Sequence, residues 1–391
     1  MEHVDIVTLG QLLLVACLVA IVARRIGLPY AVGLVAAGIA LRLAGYRSGI
    51  ALTPELIFTI LLPPLIFEAA LHLGWPQFRR EAPLVLGMAF VGTLLSALIV
   101  AAGMHGLAGW GWQASLLFGS LIAATDPVSV IAMMKEQRAE ARLRFLMEAE
   151  SIVNDGAAAV LFALVAASIG GAGNDAGGVA LAFVTTAGGG ALCGLIVAGA
   201  LLLVAGRAED HLVEITLTVL AAYGAFLIAE RLHVSGVLAT LAAGMLVGNW
   251  GRGRSLTQHG GEAMIGFWDF AAFLANSVVF LLIGSSGAAQ PLGHYLLPAA
   301  IGIVLVLVGR AAAVYPITAL FGRTALATDP ITRHILFWGG LRGALALALA
   351  LAAPAALPER DALIGVAFAV VAFSIFVQGL TVPRLLRAAK G

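Results

Sequence analysis

The stretch Glu148-Ala-Glu-Ser-Ile-Val-Asn-Asp-Gly-Ala-Ala-Ala-Val-Leu-Phe162 reads as part of a membrane-spanning helix, yet it carries Glu150, Ser151, Asn154 and Asp155. Placing a carboxylate in hydrocarbon costs about 3 kcal/mol or more, so such groups mark ion or proton paths. Helical spacing sorts the four into pairs. Ser151 and Asp155 share one face, and Glu150 and Asn154 share the neighbouring one. One face is placed to coordinate a cation while the other holds the helix. The alternative, that all four cap a helix start after the polar loop before Met147, fails for Asp155, which lies two turns inside the apolar run.

The rest of the chain agrees with a membrane setting. Its 391 residues are 61% hydrophobic and only 11% charged, which fits an all-α polytopic membrane protein and no soluble domain. A net charge of +1 offers nothing to nucleic acid, so lipid is the expected surroundings. Cys17 and Cys193 stand singly in apolar runs and form no disulfide or metal pattern. The start, Met-Glu-His-Val-Asp, lacks the positive n-region of a cleaved signal, so the first apolar segment is expected to be retained. With no long hydrophilic tail after the last span, regulation is expected from the membrane part or another protein.

Apolar runs divide the chain into thirteen spans: 5–23, 28–45, 52–72, 83–104, 113–134, 146–170, 177–206, 211–231, 235–249, 262–286, 294–321, 333–353 and 361–386. With the N-terminus outside, Arg42, Arg47, Arg231 and Arg360 fall in outer loops, and Arg310 and Arg342 fall within spans. The other sixteen of the 22 Lys and Arg residues fall on the cytoplasmic side. That bias supports N-out, C-in and an odd number of crossings.

Two spans look interrupted. In Ala123-Ala-Thr-Asp-Pro-Val128, proline disfavours helix at the preceding residue and removes a donor, so the fifth span should break near Thr125 and Asp126. A break in lipid is tolerated where its freed backbone lines a cavity or binds an ion. Asp126 would then sit at a helix N-terminus, which favours negative charge. In the twelfth span, Trp338-Gly-Gly-Leu-Arg-Gly343 places three glycines and an arginine in an apolar helix. Taking 5–170 and 211–388 as two six-helix halves joined by 177–206, both interruptions occupy the fifth span of their half. The linking span gives the halves opposite orientation, the arrangement of inverted-repeat transporters with a central binding site. The symmetry lies in pattern, not in repeated residues. Glu68 follows Pro63-Pro64, which should loosen the third span. Arg310 needs a buried carboxylate, for which Glu150 is the obvious partner. Histidines including His72 have no metal spacing. The glycines at 170–173 and 188–190 read as loop and packing residues. The chain carries no HExxH, GxSxG or Walker motif and is not read as an enzyme.

Ala-Thr125-Asp126-Pro127, Glu150-Ser-x-x-Asn154-Asp155-Gly, Asn276-Ser-Val-Val-Phe-Leu-Leu-Ile-Gly284, Gly309-Arg310, Gly339-Gly-Leu-Arg342-Gly and Val377-Gln-Gly-Leu-Thr381 follow one another in the chain. In this order they resemble the signature segments of NhaP-type sodium/proton antiporters. These belong to the electroneutral cation:proton antiporter family that includes the animal exchangers. The resemblance runs from the third span to the last. It implies thirteen helices, a homodimer, and a core with crossed, unwound helices 5 and 12 that moves as an elevator in the cell membrane. It makes Asp155 the carboxylate that takes either cation or proton, with Ser151, the Thr125 backbone and Glu68 as further cation ligands and Asp126 at the crossing. Glu150 and Arg310 would form a structural ion pair with Asn154 nearby, and Arg342 would offset helix dipoles. The Asn154-Asp155 pair, in place of two aspartates, is the pattern of electroneutral exchange. Ser129 and Ala346 depart from the small residues common in the family. The long cytoplasmic tail of the animal exchangers is missing.

Oxygen ligands suit a small hard cation. Na⁺ and H⁺ competing for one carboxylate yield exchange, provided the empty charged site cannot cross; no cofactor is needed. K⁺ or Li⁺ as substrate depends on cavity size and ligand number. A cation channel or non-transporting sensor lacks a filter-like segment here. An intramembrane hydrolase using Asp126 and Asp155 lacks a GxGD motif and is at odds with Arg310 and Arg342.

Overall fold

The computed structural model describes residues 6–46, 50–126, 128–169, 176–206, 210–251 and 255–388. Pro127, the glycines at 170–173 and Arg47 of the charge argument lie outside these residues. The regular structure of the described residues is helical. In chain order the helices are α1 (Ile6–Ile26), α2 (Tyr30–Leu43), α3 (Leu56–His72), α4 (Trp75–Ala108), α5 (Trp112–Ala123), α6 (Val128–Glu136), α7 (Ala141–Ile169) and α8 (Ala176–Ala205). There follow α9 (His211–Arg231), α10 (Gly236–Gly251), α11 (Gln258–Gly287), α12 (Leu296–Leu320), α13 (Pro330–Trp338), α14 (Ala344–Leu351) and α15 (Arg360–Arg387). Among the described residues, eight helical stretches, α5 and α6 counted together as one, are long and apolar enough to cross a membrane, and Tyr30–Leu43, Leu56–His72 and Gly236–Gly251 are shorter apolar helices.

Helix ends are fixed by local chemistry. Asp210, Ser235, Thr257 and Asp329 each accept a hydrogen bond from a backbone N–H of the first turn that follows, and Pro330 stands at the first position of α13. Gly109 ends α4 with φ of 71°, a left-handed turn that glycine adopts without penalty. The helix is loosened just ahead of Pro63 and Pro64: Leu56–Leu61 forms a π turn, and the α-helix resumes at Leu62.

The fourth helix departs from the sequence reading. It begins at Trp75 rather than near 83, because Pro76 suits a first turn and the run 75–86 is amphipathic. Arg79 and Arg80 therefore lie on a helix, and Glu81 is buried there against Arg142 at 2.9 and 3.0 Å. The guanidinium of Arg142 also donates to the Leu326 and Ala327 carbonyls, tying α4, the start of α7 and the segment before α13 together.

Two packing groups emerge. Helices α3, α8, α9, α10 and α11 share a cluster that includes Phe67, Ala198, Ala225, Ala243 and Trp268. Helices α4 to α7 and α12 to α15 pack mainly with one another, α4 against both α5 and α12. With lipid as apolar as the side chains, small residues allow close helix approach. Between α2 and α11, a Cβ on Gly38 would stand 2.2 Å from the Leu281 carbonyl oxygen, and one on Gly284 would stand 2.2 Å from that of Val35. Gly284→Val must push these backbones apart, at about 1–3 kcal/mol. Its thermal midpoint in detergent is expected to fall clearly below that of the parent. Gly266→Ala, on the same helix with nothing within 4 Å of the added carbon, should leave the midpoint unchanged. Equal midpoints for both variants would refute this packing.

Candidate functional site

The site is built where two interrupted helices touch. Helix α5 ends at Ala123 and α6 starts at Val128; α13 ends at Trp338 and α14 starts at Ala344. Across the gap the Asp126 N–H donates to the Leu341 carbonyl at 2.7 Å. The glycines of the second break are required by what lies against them. A Cβ on Gly343 would stand 2.0 Å from Asp126 Oδ2, one on Gly340 2.7 Å from Arg310 Nε, and one on Gly339 2.2 Å from Met147 Cε.

Breaking two helices inside an apolar core leaves four ends with unpaired backbone groups and opposite partial charges. Side chains of matching charge meet them. Asp126 Oδ1 accepts from the Val128 N–H at 3.1 Å, at the start of α6, while its other oxygen lies against Gly343 and the start of α14. Arg342 Nη1 donates to the Ala123 and Ala124 carbonyls at 2.6 and 2.9 Å, closing the end of α5. At the end of α13, Arg310 Nη2 donates to the Leu336 carbonyl at 3.0 Å and Gln378 Nε2 to that of Trp338 at 3.1 Å. An anion thus serves two N-termini, and cations or amides serve two C-termini.

Helix α7 runs beside this crossing and divides its polar residues as helical spacing requires. Glu150 is buried and receives Arg310 through both oxygens, at 2.7 and 3.0 Å. Asn154 Nδ2 donates to Glu150 Oε1 at 3.2 Å and to Thr125 Oγ1 at 3.3 Å. On the neighbouring face, Ser151 Oγ donates to the Thr125 carbonyl at 2.6 Å. Asp155 faces a cavity of about 470 Å³, also lined by Thr125, Asp126, Ser151, Gly343 and Asn276. The charged neighbours of Asp155 are Asp126, Glu150 and Arg342. Its Oδ1 is buried with no hydrogen-bond partner. An acceptor so placed is ready for a cation or a proton.

Glu68 lines the same cavity but is not among the hydrogen-bond partners of Thr125, Ser151 or Asn154. It lies with His72, 3.4 Å away, and Asp269 faces the other ring nitrogen of His72 at 3.8 Å. Ligand atoms of these three residues lie within 4.8 Å of one another, so the cluster has the donors to hold a metal ion. Lys135 and Glu148 line the cavity too, and Lys135 and Asp269 are exposed, so the cavity reaches the surface there. The sequence reading gave no role to His72, Asp269, Glu148 or the Glu81–Arg142 pair. Asp269 and Glu148 stand one per helix without pattern, whereas Glu81 and Arg142 were hidden by assigning both to loops.

Arg310→Ala would leave Glu150 buried and unpaired, a loss of about 3–5 kcal/mol. Folded yield and thermal midpoint are expected to drop sharply. The double variant Glu150→Leu with Arg310→Met, which removes both charges, should recover most of the midpoint. A stable Arg310→Ala protein would show that the pair does not hold the fold.

The likeness of this chain to known proteins follows the same lines. The family described as sodium/hydrogen exchanger, transmembrane, matches residues 13–388. The low-affinity Na⁺/H⁺ antiporter NhaS1 of Synechocystis sp. is 37% identical over 366 residues, covering 92% of this chain and 69% of that protein. The Na⁺/H⁺ antiporter NhaP of Pseudomonas aeruginosa is 32% identical, covering 85% of this chain and 81% of its own length. In structure, the sodium proton antiporter MjNhaP1 from Methanocaldococcus jannaschii aligns with a TM-score of 0.80 over 97% of both chains at 20% identity, which establishes a shared fold. The chain is an integral membrane protein that belongs to the transmembrane sodium/hydrogen exchanger family, a family of transporters and not of enzymes.

Proposed function

We propose that this protein exchanges Na⁺ for H⁺ across the cell membrane, one for one, with Asp155 as the shared binding carboxylate. The observation that carries the reading is that Asp155 lines the cavity and has a buried Oδ1 without a hydrogen-bond partner. Two further oxygens support it: Thr125 and Ser151 line the same cavity, with the Ser151 hydroxyl bonded to the Thr125 carbonyl at 2.6 Å. Carboxylate, carbonyl and hydroxyl oxygens are the donors a small hard monovalent cation takes. Glu68, at the wider part of the cavity, serves as a further ligand on the way in.

Charge explains both the coupling and the stoichiometry. Three carboxylates (Asp126, Glu150, Asp155) stand with two guanidiniums (Arg310, Arg342), leaving one uncompensated negative charge. One Na⁺ or one H⁺ cancels it. The empty site carries a bare charge whose passage through a low-dielectric barrier is costly, whereas the occupied site is neutral. Only loaded forms cross, so each Na⁺ moved one way is matched by one H⁺ moved the other, with no net charge transferred.

The remaining architecture belongs to the same reading. The helical segments group into thirteen crossings, with α5/α6 and α13/α14 each forming one interrupted crossing of two inverted halves. The group α4–α7 with α12–α15 forms a core that moves as an elevator against the other helices, which carry a homodimer contact. With the N-terminus outside, the cavity mouth beside Lys135 opens to the cytoplasm, the side on which basic residues concentrate.

Purified protein in liposomes with an internal pH dye and an imposed pH gradient tests the proposal. Na⁺ should collapse the gradient at a rate that a valinomycin/K⁺ voltage clamp leaves unchanged. Asp155→Asn should fold normally and reduce the response to that of empty liposomes. Robust Na⁺ exchange by Asp155→Asn overturns the site, and a response to K⁺ alone changes the substrate.

A further inference from the structure

Between the charged residues at its two ends (Arg360 and Asp361, Arg384 and Arg387), helix α15 is apolar except for a polar ladder at Ser374, Gln378 and Thr381, spaced i, i+4 and i+7. Ser374–Gln378 forms a π turn, a local widening that often accompanies functional positions. The ladder bonds to the second helix break. The Arg342 N–H donates to Ser374 Oγ at 2.9 Å, and Ser374 Oγ donates to Gln378 Oε1 at 2.5 Å. Gln378 Nε2 donates to the Trp338 carbonyl at 3.1 Å, and Trp338 Nε1 donates to Thr381 Oγ1 at 2.8 Å. The two sides of the break, the last carbonyl of α13 and the N–H four residues later, therefore close on one relay. Ser374 and Gln378 are 1% and 4% exposed. Neither lines the cavity that holds Asp155.

We infer that Ser374 and Gln378 are positioning residues that set cation affinity by fixing the segment Gly339–Gly343. This rests on the reading of Thr125 and Asp155 as the cation site. The path is short and made of bonds on both sides. Arg342, anchored through its N–H on Ser374, carries the guanidinium that grips the Ala123 and Ala124 carbonyls. Leu341, its neighbour, accepts the Asp126 N–H. Thr125 lies between these two grips, and its carbonyl is one of the cation's oxygens. Free the relay, and the break can shift along α15, carrying the Ala123–Asp126 strand with it. A misplaced carbonyl weakens ground-state cation binding, so the effect belongs in KM for Na⁺ more than in maximal turnover.

Valine and threonine at one position differ by a hydroxyl at nearly equal volume, which isolates the bond from packing. In proteoliposomes, Ser374→Val is expected to raise the KM for Na⁺ about fivefold, the effect of one net hydrogen bond. Its maximal rate should stay within about twofold of the parent, and Ser374→Thr should restore the parental KM. Gln378→Met, similar in length but unable to bond, should match Ser374→Val. Thermal midpoints are measured alongside. If Ser374→Val and Ser374→Thr share one KM, the relay does not set affinity. If Ser374→Val or Gln378→Met loses folded yield or midpoint while its remaining folded protein keeps the parental KM, the ladder is a folding element only. Either result overturns the inference while leaving Na⁺ exchange by the parent intact. A parent that fails to respond to Na⁺ overturns the functional reading instead.

Discussion

The structure depends on one backbone hydrogen bond, from the Asp126 N–H to the Leu341 carbonyl, and on the charges that allow it to exist. Two helices broken in an apolar interior would leave about sixteen unpaired backbone groups, four at each of four ends, each costing several kcal/mol in hydrocarbon. That burden is removed by pairing the breaks with each other and by aiming side chains at what remains. Asp126 covers two N-termini, while Arg342, Arg310 and Gln378 cover two C-termini. These groups are not spare decoration around a site. Without them the backbone could not open, and without an open backbone the Thr125 carbonyl would be locked in an α-helical bond and could not face an ion.

The carboxylates Glu150 and Asp155 of α7 are of two kinds, one fully paired and one not. Glu150 is fully engaged, with both oxygens on Arg310 and Asn154 bracing it toward Thr125. Asp155, one turn further along the same helix, has a buried oxygen with no partner. Two carboxylates on one helix thus differ in their partners because they point to different neighbours. A buried pair is a poor source of net stability but an exacting positional constraint. Here it fixes the rotation of α7, and that rotation decides that Asp155 and Ser151 face the cavity.

Much of this was legible in the sequence because membrane chemistry is severe. In an apolar helix, any carboxylate, arginine or Asp-Pro pair must have a reason, so Asp126, Glu150, Asp155, Arg310 and Arg342 stood out. The i, i+4 spacing then gave the division into two faces, and the need for a counter-charge gave the Glu150–Arg310 pair. What was not legible lay where charge is cheap to place. Arg79, Arg80, Glu81 and Arg142 fall in the breaks between spans, yet Glu81 and Arg142 are a bidentate pair between two helices. His72 and Asp269 approach only because α3 and α11 pack side by side, a long-range fact that no local pattern carries. Gln378 was visible as a polar residue in an apolar run, but its partner, a helix-end carbonyl forty residues earlier, was not.

The distribution of partners also says how a site can be tight enough to bind and loose enough to release. Every group that holds the crossing is bonded to backbone or to another fixed charge, so the frame has little freedom. The proposed ligands are held more loosely: Thr125 through its flanking residues, Ser151 through its helix and its bond to the Thr125 carbonyl, and Asp155 with one buried oxygen left unpartnered. On the proposed reading, a cation therefore finds a preorganised set of oxygens without a closed cage. Desolvating Na⁺ needs several oxygens at once, yet a proton needs one. On that reading, a frame rigid at the crossing and open at the cavity would let the two compete for the same carboxylate, which is the physical condition for exchange.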